Sequence, residues 1–187
     1  MADFAKFCNR FSPLEKEVLD ELVGSAQTKT LKKGEYIFKE GQVCRHLFFI
    51  NKGLAKSFFM KDGKEFIMRF FAEDFMFSVF DSYVQQTPSN YAIIALEETT
   101  VTFISHDKME ELCKKHHAIE AFLRKLVSLV TIRMMRRISG MLEESAAARY
   151  KLFVTENKDI IQRISLGDLA QYLGITQQSL SRIRAQK

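Results

Sequence analysis

The sequence lacks the signatures of several common classes of protein. Its three cysteines, Cys8, Cys44 and Cys113, are isolated from one another, so neither a disulfide framework nor a zinc or iron–sulfur site is indicated. No apolar run approaches the roughly 20 residues that cross a bilayer, and the N-terminus lacks the pattern of a signal peptide. We therefore expect a cytoplasmic protein that has no membrane partner, no metal and no cofactor.

Histidines are also scarce, and this bears on an enzymatic alternative. A jelly-roll metalloenzyme such as a cupin needs histidines and a carboxylate that converge inside the barrel. Here His46 stands alone in a predicted strand, His106 begins a predicted helix, and His116 and His117 are adjacent, so they point in different directions on a helix. No His-x-His pair occurs. The sequence predicts that the protein is not an enzyme, and a cupin-like enzyme is the less favoured alternative.

The charge of the chain is unevenly distributed. The 187 residues carry a net charge of +5, and the segment 145–187 contains seven basic residues against three acidic ones. A local excess of positive charge suits a polyanionic partner such as DNA.

The segment from Ile164 to Arg184 has the pattern of a helix-turn-helix. Ser165 can cap a first amphipathic helix, Gly174 allows a left-handed turn, and Thr176 can cap a second helix. Polar residues of the second helix face outward, where glutamine can pair with adenine and arginine with guanine in a major groove. We expect four base-reading residues, Gln177, Gln178, Ser181 and Arg182, and six phosphate contacts, Lys151, Arg163, Ser165, Thr176, Arg184 and Lys187. Two surface helices joined by a glycine turn are the alternative.

A β domain is predicted before this segment. One helix is expected to begin at Ser12-Pro13-Leu14-Glu15, and a period of two then runs from Ala26 to about Ser105. Lys61-Asp62-Gly63-Lys64 has the sequence of a tight hairpin turn. Many short strands at intervals of roughly ten residues predict a sandwich, barrel or jelly roll.

A long helix is predicted between these two parts, after a break around His116-His117. From Ile119 to Leu142 apolar residues lie on more than one side, which is a wider surface than packing on one sheet requires. We expect one face to pack on the β domain and another to pack on the same helix of a second subunit in a homodimer. The predicted dimer contacts are Phe122, Leu126, Leu129, Val130, Met134 and Arg137. A helix buried between two domains of one chain is the alternative.

This order of elements resembles the Crp/Fnr family, named after the cyclic-AMP receptor protein and the fumarate-nitrate regulator. The most specific stretches are Lys33–Gly41, His46–Ile50 with Gly53, and Leu169-Ala170 to Arg182. The resemblance covers almost the whole chain and implies an α+β fold. Residues 1–115 would form an N-terminal antiparallel β-roll of eight strands, a jelly roll like that of a cyclic-nucleotide-binding domain. Residues 116–143 would form a dimerisation helix, and residues 144–187 would form a winged helix-turn-helix. Any wing strands would lie around Ile160 to Ile164.

The sequence departs from the cyclic-AMP-binding relatives at the effector site. Those relatives carry a Gly-Glu pair for the ribose and an Arg-Ser or Arg-Thr pair for the cyclic phosphate, whereas no arginine occurs here between Arg69 and Arg124. A buried phosphate without a guanidinium loses its strongest partner, so we do not expect cyclic AMP to bind. The corresponding stretches place a candidate effector pocket at Glu73, Asp74, Phe75, Ser89 and Asn90. The β-roll could hold another small molecule, respond to nothing, or serve only as a dimerisation scaffold.

The sequence therefore predicts a sequence-specific, DNA-binding transcription regulator that acts as a homodimer. RNA polymerase and an unidentified small-molecule effector are further candidate partners. A small-molecule-binding β-roll without DNA function is the alternative from another class.

Overall fold

The computed structural model describes residues 2–185, and it begins with two helices. They are α1 (Ala2–Phe11) and α2 (Lys16–Gly24). The predicted single helix starting at Ser12 is wrong in two respects: α2 begins four residues later, and α1 precedes it. Helix α1 is stabilised by packing: the rings of Phe4 and Phe7 lie 5.5 and 5.0 Å from that of Phe49, in an apolar core outside the sheets.

Eight strands follow and form two antiparallel sheets. The strands are β1 (Gln27–Leu31), β2 (Tyr36–Phe38), β3 (His46–Lys52), β4 (Ala55–Lys61), β5 (Lys64–Phe71), β6 (Phe75–Phe77), β7 (Tyr91–Ala95) and β8 (Thr99–Ser105), with helix α3 (Phe80–Gln85) between β6 and β7. One sheet has the order β1-β8-β3-β6 and the other has the order β2-β7-β4-β5. The predicted β-roll is confirmed. The predicted hairpin is β4–β5, whose turn residues Asp62 and Gly63 have φ of 51° and 72°, as a two-residue turn with two left-handed positions requires.

Aromatic side chains fill the space between the two sheets. Phe71 and Phe77 stack with ring centroids 4.1 Å apart and planes 10° from parallel, and Phe48 lies 5.5 Å from Phe77. All three are almost completely buried. The interior of the β-roll near β6 is therefore occupied by the chain itself.

Gly53 fixes the turn between β3 and β4. Its φ is +102°, and a Cβ built there would lie 2.5 Å from the carbonyl oxygen of Glu98 and 2.7 Å from Cα of Thr99. Only glycine fits this backbone conformation and this close approach.

The C-terminal part is helical. It contains α4 (His106–Lys115), α5 (His117–Glu143), α6 (Ala146–Glu156), α7 (Leu166–Leu173) and α8 (Gln177–Ala185). Helix α5 is the predicted long helix, and it begins at His117, within the predicted break. Within residues 2–185, none of the helices combines the length and hydrophobicity that a membrane span requires.

The expected wing strands are absent from the segment that was to contain them. The described residues from Asn157 to Ile164 form turns, in which the amides of Ile160 and Ile161 both donate to the carbonyl oxygen of Asn157 at 3.2 Å. Ile160 is 6% exposed and packs into the helix-turn-helix core. The wing strands that the resemblance implied around Ile160 to Ile164 are therefore not formed there.

Candidate nucleic-acid interface

Helices α7 and α8 form a helix-turn-helix whose ends are closed by local hydrogen bonds. The Ser165 hydroxyl oxygen accepts the amide of Asp168 at 2.9 Å, and that of Thr176 accepts the amide of Ser179 at 3.1 Å. Gly174 ends α7 in the left-handed conformation, with φ 68° and ψ 34°. The amide of Ile175 then donates to Ala170 O at 3.0 Å, which satisfies a terminal carbonyl and sets the angle of the turn.

A small apolar core fixes the angle between α7 and α8. Leu180 is completely buried, and Leu169, Ala170 and Leu173 are 3% exposed or less. They pack with Tyr150 and Phe153 of α6 in the same cluster. Burial of one leucine side chain contributes about 1.5–3 kcal/mol, so α8 is presented by a packed scaffold.

The outer face of α8 is polar and exposed. Gln177, Gln178, Ser181, Arg182 and Arg184 are all exposed to solvent. Gln178 and Arg182 lie one turn apart, and neither makes a side-chain hydrogen bond or ion pair with another described residue. The structure therefore brings the four predicted base-reading residues together on one helix face.

The helix-turn-helix is attached to the β-roll by a lysine between two carboxylates. Lys56 Nζ of β4 lies 2.7 Å from Glu65 Oε1 of β5 and 2.7 Å from Asp168 Oδ1 of α7. Burial alone would lower the pKa of Lys56, but the hydrogen bonds to Asp168 and Glu65 outweigh burial and raise the pKa. The lysine is therefore held charged between the domains.

Arg163 makes a second attachment. Its guanidinium donates two 2.9 Å bonds to the carboxylate of Glu73 and another bond to Glu97, which lie in the loops after β5 and β7. Glu73 also accepts the amide of Gly53 at 2.8 Å. Burial would raise the pKa of Glu73, but Arg163 and the backbone amides lower it below the ordinary value. Arg163, which was predicted to contact a phosphate, is thus paired with two carboxylates of its own chain.

Two arginines cap the C-terminus of α7. Arg149 donates to Leu173 O at 3.2 and 3.0 Å, and Arg137 donates to Tyr172 O at 3.0 Å while its guanidinium lies 3.8 Å from the centre of the Tyr172 ring. The last turn of α7 has no basic residue of its own, so the cations at this helix end come from other parts of the chain. No pattern in the sequence identifies them. Sequence reasoning missed this positioning role of Arg149, and also that of Lys56.

Comparisons with known proteins agree with this architecture. Residues 28–116 match the family model described as Cyclic nucleotide-binding domain. The chain is 26% identical to Electron transport regulator A of Shewanella oneidensis, an alignment that covers 90% of this chain and 71% of that protein. The solved structure of FixK2 from Bradyrhizobium japonicum superposes with a TM-score of 0.76 at 19% identity, covering 86% and 83% of the two chains. A regulator of the Crp/Fnr family from Eubacterium rectale superposes with a TM-score of 0.71 at 18% identity, covering 93% and 85%.

Over most of its length the chain is therefore similar to transcription regulators, and one of its structural neighbours is a regulator of the Crp/Fnr family. The remaining predicted phosphate contacts lie around the helix-turn-helix. Lys151 is exposed on α6, Ser165 and Thr176 precede α7 and α8, and Arg184 is exposed near the end of α8. Lys187 lies outside the described residues.

The residues of the candidate effector pocket are dispersed in the Crp/Fnr fold. Glu73 binds Arg163, and Asp74 accepts a 2.8 Å hydrogen bond from Arg10. Phe75 lies beneath the guanidinium of Arg69, at 4.7 Å from the ring centre. Ser89 is 3% exposed and accepts the amide of Tyr91 at 3.2 Å, whereas Asn90 is exposed. The structure does not gather these five side chains around one cavity.

The predicted dimer residues lie on one side of α5 and differ in how far they are buried. Phe122 and Leu126 are 0% and 5% exposed within the core of their own chain, and Arg137 caps α7. Leu129, Val130 and Met134 are partly exposed. The exposed apolar side chains lie on the opposite side of the helix and include Val127, Ile132, Met135, Ile138 and Leu142.

The histidines do not converge. His46 lies in β3, His106 at the start of α4, and His116 and His117 at the junction of α4 and α5. Among residues 2–185, no group of three or more His, Cys, Asp or Glu side chains is arranged to hold a metal ion. The Shewanella oneidensis and Eubacterium rectale proteins are both named as regulators.

Proposed function

We propose that this chain is a cytoplasmic homodimer that reads specific DNA sequences with helix α8. The observation that carries the proposal is the outward face of α8. Its amide and guanidinium groups are exposed and unengaged within the described chain, while its inner face is anchored by Leu180, which is completely buried. A rigid helix that presents such groups is suited to a major groove.

Base readout is assigned to Gln177, Gln178, Ser181 and Arg182. Gln178 and Arg182 are four residues apart and therefore reach along the same edge of the groove. Gln177 lies at the start of α8 beside α7, since a Cβ on Gly167 would be 2.8 Å from Gln177 Nε2. A bidentate contact between one of these side chains and a base discriminates against the wrong base by about 1–3 kcal/mol.

Phosphate contacts are assigned to Lys151, Ser165, Thr176 and Arg184. Ser165 and Thr176 stand at the N-termini of α7 and α8, where free amides and the helix dipole favour an anion. Arg163 can join this set only if it leaves Glu73 and Glu97. Phosphate contacts set affinity and register without distinguishing sequences.

The contact with the second subunit is assigned to the exposed face of α5. Val127, Met135, Ile138 and Leu142 are 38%, 62%, 51% and 81% exposed. They continue at intervals of three, four or eight residues, the spacing of an apolar seam between paired helices. Pairing two copies through this seam would place two α8 helices for half-sites about 34 Å apart.

Selection of duplexes from a random pool tests the DNA function. We expect the selected duplex (the winner) to have a palindromic sequence. Arg182→Ala should relax selectivity at one base pair and weaken binding to the winner by about 1–3 kcal/mol, whereas Arg184→Ala should weaken all duplexes alike and reduce the salt slope by about 1. Failure to enrich any sequence, or uniform weakening by Gln178→Ala and Arg182→Ala, would contradict the assignment.

Analytical ultracentrifugation tests the dimer. Met135→Lys places a charge in the proposed seam and should convert the dimer to monomer, because burying an unpaired ammonium group is strongly unfavourable. Val84→Lys is the matched control, since Val84 is 69% exposed on α3, away from α5. A wild-type monomer at concentrations of about 100 μM, where even a weak dimer of micromolar affinity would form, would contradict the proposal.

A further inference from the structure

A cavity of about 310 Å³ opens between the two sheets at the end where β1 and β2 separate. Its floor consists of Leu31, Phe38, Phe48 and Val101, which are all less than 9% exposed. We call this cavity the roll mouth. The mouth of a β-barrel with an apolar floor and a few polar groups is a frequent place for small-molecule sites.

Basic side chains occupy inward-facing positions at the roll mouth. Lys29 pairs directly with the buried Val101 across β1 and β8, so the two residues share the inner face of the sheet. His46 lies two residues before Phe48 on β3 and therefore faces the same way. Arg45 precedes His46 and also lines the cavity. Inward positions of a β-roll are normally apolar, so Lys29 and His46 at two such positions, with Arg45 beside them at the edge of the cavity, form a distinct surface.

No acidic residue neutralises this surface. The described residues that line the cavity include no aspartate or glutamate, and the side chains of Lys29 and Arg45 make no ion pair within residues 2–185. Lys39 adds a further cation at the rim, with its Nζ 5.6 Å from the centre of the Tyr36 ring. Burial lowers the pKa of His46 and so favours its neutral form, and its ring packs 5.3 Å from that of Phe103. The positive charge available to a ligand is therefore that of Lys29 and Arg45, and His46 can add a neutral hydrogen-bond donor.

The backbone that carries Arg45 and His46 is fixed from both sides. The carbonyl oxygen of Arg45 accepts the amide of His106 at 2.8 Å, and that of His46 accepts the Ser78 hydroxyl at 2.8 Å. The backbone positions from which these two side chains extend are therefore set before a ligand enters, which reduces the ordering that binding requires.

We propose that the roll mouth binds a small organic carboxylate with an aromatic or branched apolar body. The carboxylate lies between Arg45, Lys29 and His46, and the apolar body lies against Phe48 and Phe103. The cavity has the volume of roughly ten water molecules, which suits a ligand of about that many heavy atoms. No residue of α8 lines the cavity, so its occupation is tested without DNA.

Three ring compounds of the same shape and different charge test the proposal. Benzoate, neutral benzamide and cationic benzylammonium are titrated into the full chain by calorimetry, with the four histidine rings followed by NMR. We expect benzoate to bind with a Kd of about 1 mM, as a ligand of its size can reach, and benzamide to bind at least about tenfold more weakly. The His46 ring resonances should shift, and those of His116 and His117 should not. Absence of benzoate binding at about 10 mM, or equal binding of benzamide, would overturn the proposal.

Matched charge variants locate the site. Arg45→Gln and Lys29→Gln should each weaken benzoate binding about tenfold by removing a charge-assisted hydrogen bond, while benzamide binding is unchanged. Lys33→Gln removes the same charge from an exposed turn residue that does not line the cavity, and it should leave benzoate binding unchanged. Equal weakening by Lys33→Gln and Arg45→Gln would show only a general charge effect and would refute the site.

Discussion

Replacement of Arg163 by glutamine tests whether this side chain attaches the helix-turn-helix to the β-roll or contacts DNA. In the free chain the guanidinium bridges Glu73 and Glu97, so the variant removes an ion-pair network and leaves two carboxylates near each other. If Arg163 instead serves a phosphate, the variant removes one counterion-releasing contact. The two roles predict different measurements.

The expected effect on stability follows from the exposure of the three side chains. Arg163, Glu73 and Glu97 are 25%, 41% and 38% exposed, so solvent screens the pairs and each is worth at most about 1 kcal/mol. The bidentate geometry supports the upper part of that range. We expect a total loss of about 1–2 kcal/mol, which lowers the Tm of a chain of this size by roughly 2–8 °C.

The assay compares wild-type, Arg163→Gln, Glu73→Gln and the double variant. Thermal unfolding should show that Glu73→Gln adds little to Arg163→Gln, because each change removes the same contact. The dependence of DNA affinity on salt should be nearly unchanged in Arg163→Gln. An unchanged Tm together with a loss of about 0.9 in the salt slope would refute the reasoning and assign Arg163 to the phosphate contacts.

Three further changes test other parts of the structure. Leu180→Ala should lower the free energy of unfolding by about 2–5 kcal/mol in urea, because the side chain is completely buried; a loss below about 1 kcal/mol would mean that α8 is not packed as described. Gly53→Ala should reduce the yield of folded protein because its Cβ meets Glu98, whereas Gly24→Ala, which has open space, should be neutral; equal yields would contradict the close approach. The difference in stability between wild-type and Glu73→Gln should shrink as the pH falls below 4.5, the ordinary pKa of a glutamate. The pKa of Glu73 is lower in the folded chain, so its ionised carboxylate stabilises the fold above pH 4.5, and this stabilisation is lost as the carboxylate is protonated. A difference in Tm that does not change with pH would exclude ionised Glu73 from the contact.

Local patterns made the helix-turn-helix predictable. Ser165, Gly174 and Thr176 act through hydrogen bonds to residues at most a few positions away, so sequence spacing alone indicated their roles. The hairpin at Asp62-Gly63 was predictable for the same reason. The four exposed residues of the reading face followed from the helical period once the inner residue Leu180 was recognised.

Contacts between distant parts of the chain were not predictable. Lys56 and Asp168 are 112 residues apart, and nothing in their neighbours indicates that they meet. Helix α5 is apolar on several sides, so periodicity could not show that Phe122 and Leu126 face the chain's own core while Met135 faces outward. The wing strands were expected only from the resemblance. A turn has no hydrophobic period, so the sequence around Ile160 carried no pattern that could have corrected this expectation.

The stacked rings of Phe71 and Phe77 constrain how this chain could acquire a nucleotide site. The cyclic-AMP-binding relatives carry an arginine before the serine or threonine of their phosphate pair, whereas here Pro88 precedes Ser89. An arginine at Pro88 would supply charge for a cyclic phosphate, but the two rings, 4.1 Å apart, would still fill the interior near β6. Conversion to a nucleotide sensor would need at least one of the rings to be removed in the same step. Removal alone would leave a void costing several kcal/mol, so neither change is advantageous without the other.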